Sequence, residues 1–284
     1  MEHSLPKPLP PGPLALIFAE DAVEIDSTIR HHLQAGFRRV LLFAPEGIGP
    51  LEAHGAQLRC IVWDPFAPEA LARAVNRVIA ALPAGEWVYY GYNAEYLVHP
   101  FCESRSLRDM LSFHMEERRA AMLTYVIDLY APDLQRNPDA VNLAEAMFDR
   151  AGYFALARHD AQGAPRERQL DFHGGLRWRF EEHVAPEQRR IDRISLFRTA
   201  PGLRLRLRLR PDHTLSIEEY NTYACPWHNN LTAAVMSFRA AKALRRNPGS
   251  RHAITDFRWY NSVPFSWRSQ QLMELGLIEP GQWF

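Results

Sequence analysis

The feature that most constrains the fold is an alternation of two hydrophobic periods along the first 130 residues. Short apolar runs that suit buried strands take turns with stretches whose apolar residues recur every three or four positions. That succession predicts an α/β domain on a mostly parallel central sheet flanked by helices, because parallel neighbours need a helical crossover between them. Strands are expected at 14–18, 40–43, 58–63 and 87–90. Asp21 is placed to cap a helix that turns Ile25, Ile29 and Leu33 inward and stops at Gly36. A second helix over 68–82 buries Leu71, Val75, Val78 and Leu82. Ser104 is expected to cap a helix running through Arg118, with a further strand at 121–128, turns over 133–140 and a short helix to about Arg150.

The second half is less regular. A strand pattern at 172–180 is interrupted by Gly174-Gly175, the sign of a tight bend or a close approach of backbone. Over 203–210 Leu and Arg alternate, which puts Arg204, Arg206, Arg208 and Arg210 on one strand face. Residues 231–244 read as a helix. With 284 residues, 47% of them apolar and 23% charged, the chain can bury a full α/β core. The expected organisation is an extended proline-rich arm over 1–12 and one domain over 13–284, with an irregular C-terminal lobe.

Composition excludes several classes of function. No apolar run reaches the length of a membrane span, and Pro6, Pro8, Pro10, Pro11 and Pro13 sit where a signal peptide needs an apolar helix. Cys60, Cys102 and Cys225 are odd in number and widely spaced, so neither a disulfide framework nor a zinc knuckle is indicated, and a cytoplasmic location is expected. His31-His32, and His99 with Cys102, lack further ligands at sensible spacing. The net charge of zero hides 13 basic against 20 acidic residues in 1–150 and the reverse in 151–284. That asymmetry suits an anionic ligand toward the C-terminal side, while the balance and the lack of a basic, aromatic-interleaved motif speak against nucleic acid.

One segment carries most of the functional signal. The strand Trp87-Val88-Tyr89-Tyr90 runs into Glu95-Tyr96-Leu97-Val98-His99-Pro100, followed by Ser106-Leu107-Arg108-Asp109-Met110-Leu111 and Val126-Ile127-Asp128-Leu129-Tyr130. Farther on come His173-Gly174-Gly175-Leu176-Arg177-Trp178-Arg179-Phe180, His213-Thr214-Leu215, Ser269-Gln270-Gln271-Leu272 and Gly276-Leu277. In this order the motifs resemble a bacterial branch of glycosyltransferase family 2, over almost the whole chain from about Pro13 to Trp283.

The resemblance implies a glycosyltransferase A-type fold, with a nucleotide-binding half at 13–130 and an acceptor half at 131–284. It also implies hexosyltransferase-type transfer from a nucleotide-sugar donor to a glycan or other cell-surface acceptor. Family members hold Mn2+ or Mg2+ with an Asp-x-Asp-Glu segment. Here the two aspartate positions read Tyr92 and Ala94, leaving Glu95 as a weak metal ligand beside Asn93. Three readings stay open: a metal-independent transferase using arginines, a non-catalytic pseudoglycosyltransferase acting as a binding or scaffold protein, and an enzyme with metal ligands from elsewhere.

On these readings Glu95, Asp128 and Asp171 are candidate bases for an acceptor hydroxyl. Asp21, Tyr92, Asn93, Arg177 and Arg179 would border the donor diphosphate. His173, Gly174, Gly175 and Trp178 would shape the acceptor pocket. The sequence leaves the donor, the acceptor, the stereochemical outcome and the oligomeric state open.

Overall fold

The structure is a computed structural model that describes residues 9, 11–207, 213–222 and 230–283. In chain order the elements begin with β1 (Leu14–Phe18), α1 (Ile25–Ala35), β2 (Arg39–Ala44), β3 (Leu58–Val62), α2 (Ala70–Ala81), β4 (Trp87–Tyr92), β5 (Glu95–Val98) and α3 (Leu107–Glu116). They continue with β6 (Ala121–Tyr130), β7 (Met147–Asp149), β8 (Phe154–His159), β9 (Pro165–His173) and α4 (Gly175–Arg179). The last are β10 (Asp192–Arg198), β11 (Ala233–Ser237), α5 (Arg239–Arg246), β12 (Ser262–Pro264) and α6 (Ser269–Glu274). No helix among the described residues is long and apolar enough to cross a membrane.

The chain divides into two compact units that are interleaved in sequence. The first comprises Met1–Tyr96, Ser104–Leu123 and Arg193–Tyr223; the second comprises Leu97–Glu103, Thr124–Asp192 and Ala224–Phe284. The first unit holds the expected mostly parallel sheet. Strand β1 pairs in parallel with β2 on one side and with β4 on the other, β2 pairs in parallel with β3, and β10 adds to β4 in the antiparallel sense. All five residues of β1 are buried, as a strand covered on both faces requires. Helix α1 buries Ile25, Thr28, Ile29 and His32, and α2 buries Leu71, Val75 and Val78 along one stripe.

Successive crossovers leave β1 in opposite directions, to β2 and later to β4, so the carboxyl ends of β1 and β4 flank the topological switch point. The chain turns between β4 and β5 at Ala94, which takes φ 59.

In the second unit, residues 124–130 of β6 pair in parallel with β11 and in antiparallel fashion with β7, which in turn pairs with β12. Strands β8 and β9 form a separate hairpin. Its core gathers Tyr130, Leu134, Ala140, Leu176, Ala241, Leu244, Ile254 and Phe257.

Several local expectations are corrected. Asp21 caps no helix: its carboxylate accepts the Val23 N–H at 2.9 Å in a turn, and Glu24 holds the N-cap position of α1. The cap of α3 is Ser106, two residues beyond Ser104, in a reciprocal capping box with Asp109. The helix expected to reach Arg150 gives way to β7, and the helix at 231–244 splits into β11 and α5. The 172–180 strand stops at His173 and continues as α4. Among its described residues the Leu/Arg run forms an isolated bridge, Leu205 to Leu215, and Arg206 meets Glu218 at 3.2 Å; Arg208 and Arg210 lie outside the described residues. So does most of the expected arm.

Candidate functional site

In the first unit, the end of β4 is stitched to the loop after β1. The Asn93 amide donates to the Asp21 carboxylate at 2.7 Å and to the Val23 carbonyl at 2.7 Å, and its oxygen accepts the Glu20 N–H at 3.0 Å. Asn93 is buried, so this short side chain spends its donors and acceptor on the crevice between β1 and β4 itself.

Glu95 and Arg193 are also buried, with side-chain exposures of 1% and 3%, and Arg193 donates to Glu95 Oε2 at 2.7 Å. The same oxygen accepts the Tyr92 N–H at 2.9 Å. The guanidinium lies 5.9 Å from the ring centroids of both Tyr90 and Tyr92, so the cation is enclosed by aromatic faces.

This arrangement does not fit a divalent ion at the position the resemblance implies. One carboxylate oxygen already serves two donors, Ala94 has no ligating side chain, and Tyr92 is packed inside. The charge of Glu95 is instead met by the Arg193 guanidinium. Burial pushes His32 down to about 3, with the charge of His31 acting the same way, so the imidazole beside Tyr89 is neutral.

The second unit contains the other set of singled-out residues. Asp128 stands near the carboxyl end of β6 and is fully buried. Burial raises its carboxyl to about 6, an effect that Arg177 and backbone N–H groups of α4 offset only in part. The Arg177 N–H reaches Asp128 Oδ2 at 3.4 Å, and the Arg177 Nε lies 3.4 Å from Oδ1. That second distance is an ion-pair contact without hydrogen-bond geometry, and Oδ1 has no hydrogen-bond partner among the described residues.

The double glycine has a structural reason. A Cβ on Gly174 would fall 2.2 Å from the Tyr153 ring, and one on Gly175 would fall 2.9 Å from Asp128 Oδ2, with φ +64 at Gly175. The space that glycine opens is filled by these two side chains.

Arg179 is anchored by its NH1 to both oxygens of Asp149 at 3.1 Å. Asp149 also accepts from the Tyr130 hydroxyl at 2.6 Å and from the Trp259 indole at 2.8 Å. Asp171 is held by the Arg158 Nε at 2.9 Å and the Arg190 NH1 at 2.6 Å. His173 stacks on Phe154 at 5.2 Å, and Phe154 meets Trp178 edge-on at 6.2 Å.

The structure therefore brings Asp128, Gly175 and Arg177 together, links His173 to Trp178 through Phe154, and pairs Arg179 with Asp149. Tyr92, Asn93, Glu95 and Asp21 form a separate group in the first unit. The sequence does not single out Arg193, Asp149 or Tyr153. Arg193 left one trace in the sequence: an arginine at the start of the otherwise largely apolar strand β10, which a buried strand tolerates only with a counter-charge. No protein-family model matches the chain, and no curated protein matches it either.

Proposed function

We propose that the protein is a glycosyltransferase of the A type that works without a divalent metal, moving a sugar from a nucleotide-activated donor to a glycan or other cell-surface hydroxyl. The observation that carries this reading is Asp128. A carboxyl raised to about 6 by burial, with one oxygen that meets Arg177 at 3.4 Å but has no hydrogen-bond partner among the described residues, has the properties of a general base that works near neutrality. In a single displacement the acceptor oxygen bonds to the anomeric carbon and the bond to the diphosphate breaks. Its electron pair leaves on the phosphate oxygen, and the hydroxyl proton passes to Asp128.

The parallel strands β3, β2, β1 and β4, with their switch point, support a nucleotide-binding α/β half, and the ordered motifs shared with glycosyltransferase family 2 support the finer assignment. The absence, among the described residues, of a second carboxylate beside Glu95, whose Oε2 already serves Arg193 and the Tyr92 N–H, supports metal independence.

A second reading, a non-catalytic protein on the same fold, is favoured by the Asn93 amide tying the crevice of the first unit to Asp21 and Val23. Release of nucleoside diphosphate from a panel of nucleotide sugars, in EDTA and with a glycan acceptor, separates the two. The transferase reading expects turnover in EDTA that Asp128→Asn abolishes while the variant stays folded. Turnover that needs manganese, or that survives Asp128→Asn, contradicts it.

A further inference from the structure

We propose that Asp149 is a positioning residue for the transfer: a second carboxylate, fixed opposite Asp128 on the neighbouring strand, whose negative charge keeps that carboxyl ready to take the acceptor's proton. This deepens the transferase reading and rests on Asp128 being its base. Strands β6 and β7 pair Leu129 with Phe148 and Tyr130 with Met147, so the antiparallel register brings Asp149 opposite Asp128. Residues opposite one another in a sheet share a face, and both aspartates are 1% exposed.

The two carboxylates have unlike surroundings. Asp149 is tightly bonded: its Oδ1 accepts from the Tyr130 hydroxyl at 2.6 Å and the Trp259 indole at 2.8 Å, and Arg179 NH1 lies 3.1 Å from both oxygens. Asp128 is held more loosely. Its Oδ2 has the Arg177 N–H at 3.4 Å, and its Oδ1 meets the Arg177 Nε at 3.4 Å without a hydrogen-bond partner among the described residues. Each aspartate thus has its own arginine from α4. Where two neighbouring acids differ in this way, the tightly bonded one serves as a fixed charge and the other exchanges the proton.

A gain in stability does not account for the arrangement. Two like charges buried opposite each other in a sheet oppose folding unless each is compensated, whereas an apolar pair of similar size does not. Asp128 is faced by Arg177 from α4, by Asp149 from β7 and by Tyr153 from the turn between β7 and β8, and the register of β11 brings Ser237 beside it. Burial is the largest reason that the Asp128 carboxyl is raised; Arg177 pulls it down and Asp149 pushes it up. Without the charge of Asp149, the arginines of α4 act on Asp128 unopposed, its proton is lost at lower pH, and the base is weaker.

The test is a pH series of urea midpoints for the wild type, Asp128→Asn, Asp149→Asn and the double variant, read beside the pH–rate profile of transfer. Asparagine keeps the shape of Asp149 and the oxygen that Tyr130 and Trp259 use. The stabilisation that Asp128→Asn brings at pH 7.5 is expected to shrink to about half in the Asp149→Asn background, because Asp128 then ionises at lower pH. The acid limb of the transfer rate should move about one pH unit lower in Asp149→Asn. Arg179→Gln leaves Asp149 uncompensated and should act in the opposite sense, enlarging that stabilisation; it carries the test if Asp149→Asn does not fold. A purely structural Asp149 weakens both backgrounds alike, so an unchanged stabilisation in Asp149→Asn, or an unchanged or shrunken one in Arg179→Gln, overturns the proposal. A shrunken stabilisation without turnover of any donor keeps the charge coupling and removes the transferase; turnover with an acid limb that Asp149→Asn does not move does the reverse.

Discussion

Arg193 meets Glu95 with almost no water around either, so each charge depends on the other. Removing one partner leaves a buried uncompensated ion, and Arg193→Met or Glu95→Gln should cost about 3–5 kcal/mol in urea unfolding. The double replacement should cost less than either single one, because the remaining group no longer carries an unpaired charge. Asp128 poses the opposite case. Its folded pKa of about 6 lies above the model-peptide value of 3.8, so between those pH values the native state holds a proton that the unfolded chain has released. Stability from this group therefore falls as pH rises from about 4 to 6 and stays reduced above. Asp128→Asn should stabilise the protein at pH 7.5 by on the order of 2 kcal/mol, with the gain vanishing below about pH 4, while abolishing transfer. In the wild type, the transfer rate should rise through about pH 6 as the base ionises. His32 works in the other direction: its folded pKa, near 3, lies below the ordinary value of 6.5. The unfolded chain takes up the proton first, so stability is full above about pH 6.5 and falls toward pH 3 by about 1.4 kcal/mol per pH unit. Replacing His32 with Gln should flatten that acid limb in a pH series of denaturant midpoints.

At the scale of elements, the parts that were legible share one property: their hydrophobic period matches their burial. β1, β2 and β4 are continuous apolar runs and α2 keeps its stripe, so period and packing agree, whereas α1 buries Ile25 and Ile29 as expected but His32 in place of Leu33. The misreadings fall where tertiary pairing overrides local preference. Ala233-Ala234-Val235-Met236-Ser237 is built largely from helix-compatible residues, yet all five are buried beside β6 and take its extended form. Glycine pairs carry two meanings in a sequence, and only neighbours distinguish them: Gly174 and Gly175 yield to Tyr153 and Asp128, which lie 21 and 46 positions away from them at the least. Gly174→Ala should destabilise by about 1–3 kcal/mol through overpacking against the Tyr153 ring. A matched loss in Tyr153→Phe would not follow, since the clash is with ring carbon; thermal melts of both variants check this. Asp128 was legible as a carboxylate near a strand end, and β6 does place it there, buried. The partners Arg193 and Asp149 were not, because a buried ion pair joins residues whose spacing in the chain carries no period.

At the scale of the whole molecule the chain forms two compact units: the first has the parallel sheet and its switch point, and the second has the buried Asp128. The chain carries 13 basic against 20 acidic residues up to residue 150, and that excess reverses beyond it. On the proposed function, the protein binds a nucleotide without needing a divalent ion. The most direct measurement is the melting temperature in uridine, guanosine and thymidine diphosphates, each with manganese and with EDTA. A ligand that binds only the folded state must raise it. At least one nucleotide is expected to raise it equally in both conditions. A rise that appears only with manganese, or no rise with any of the three, contradicts it.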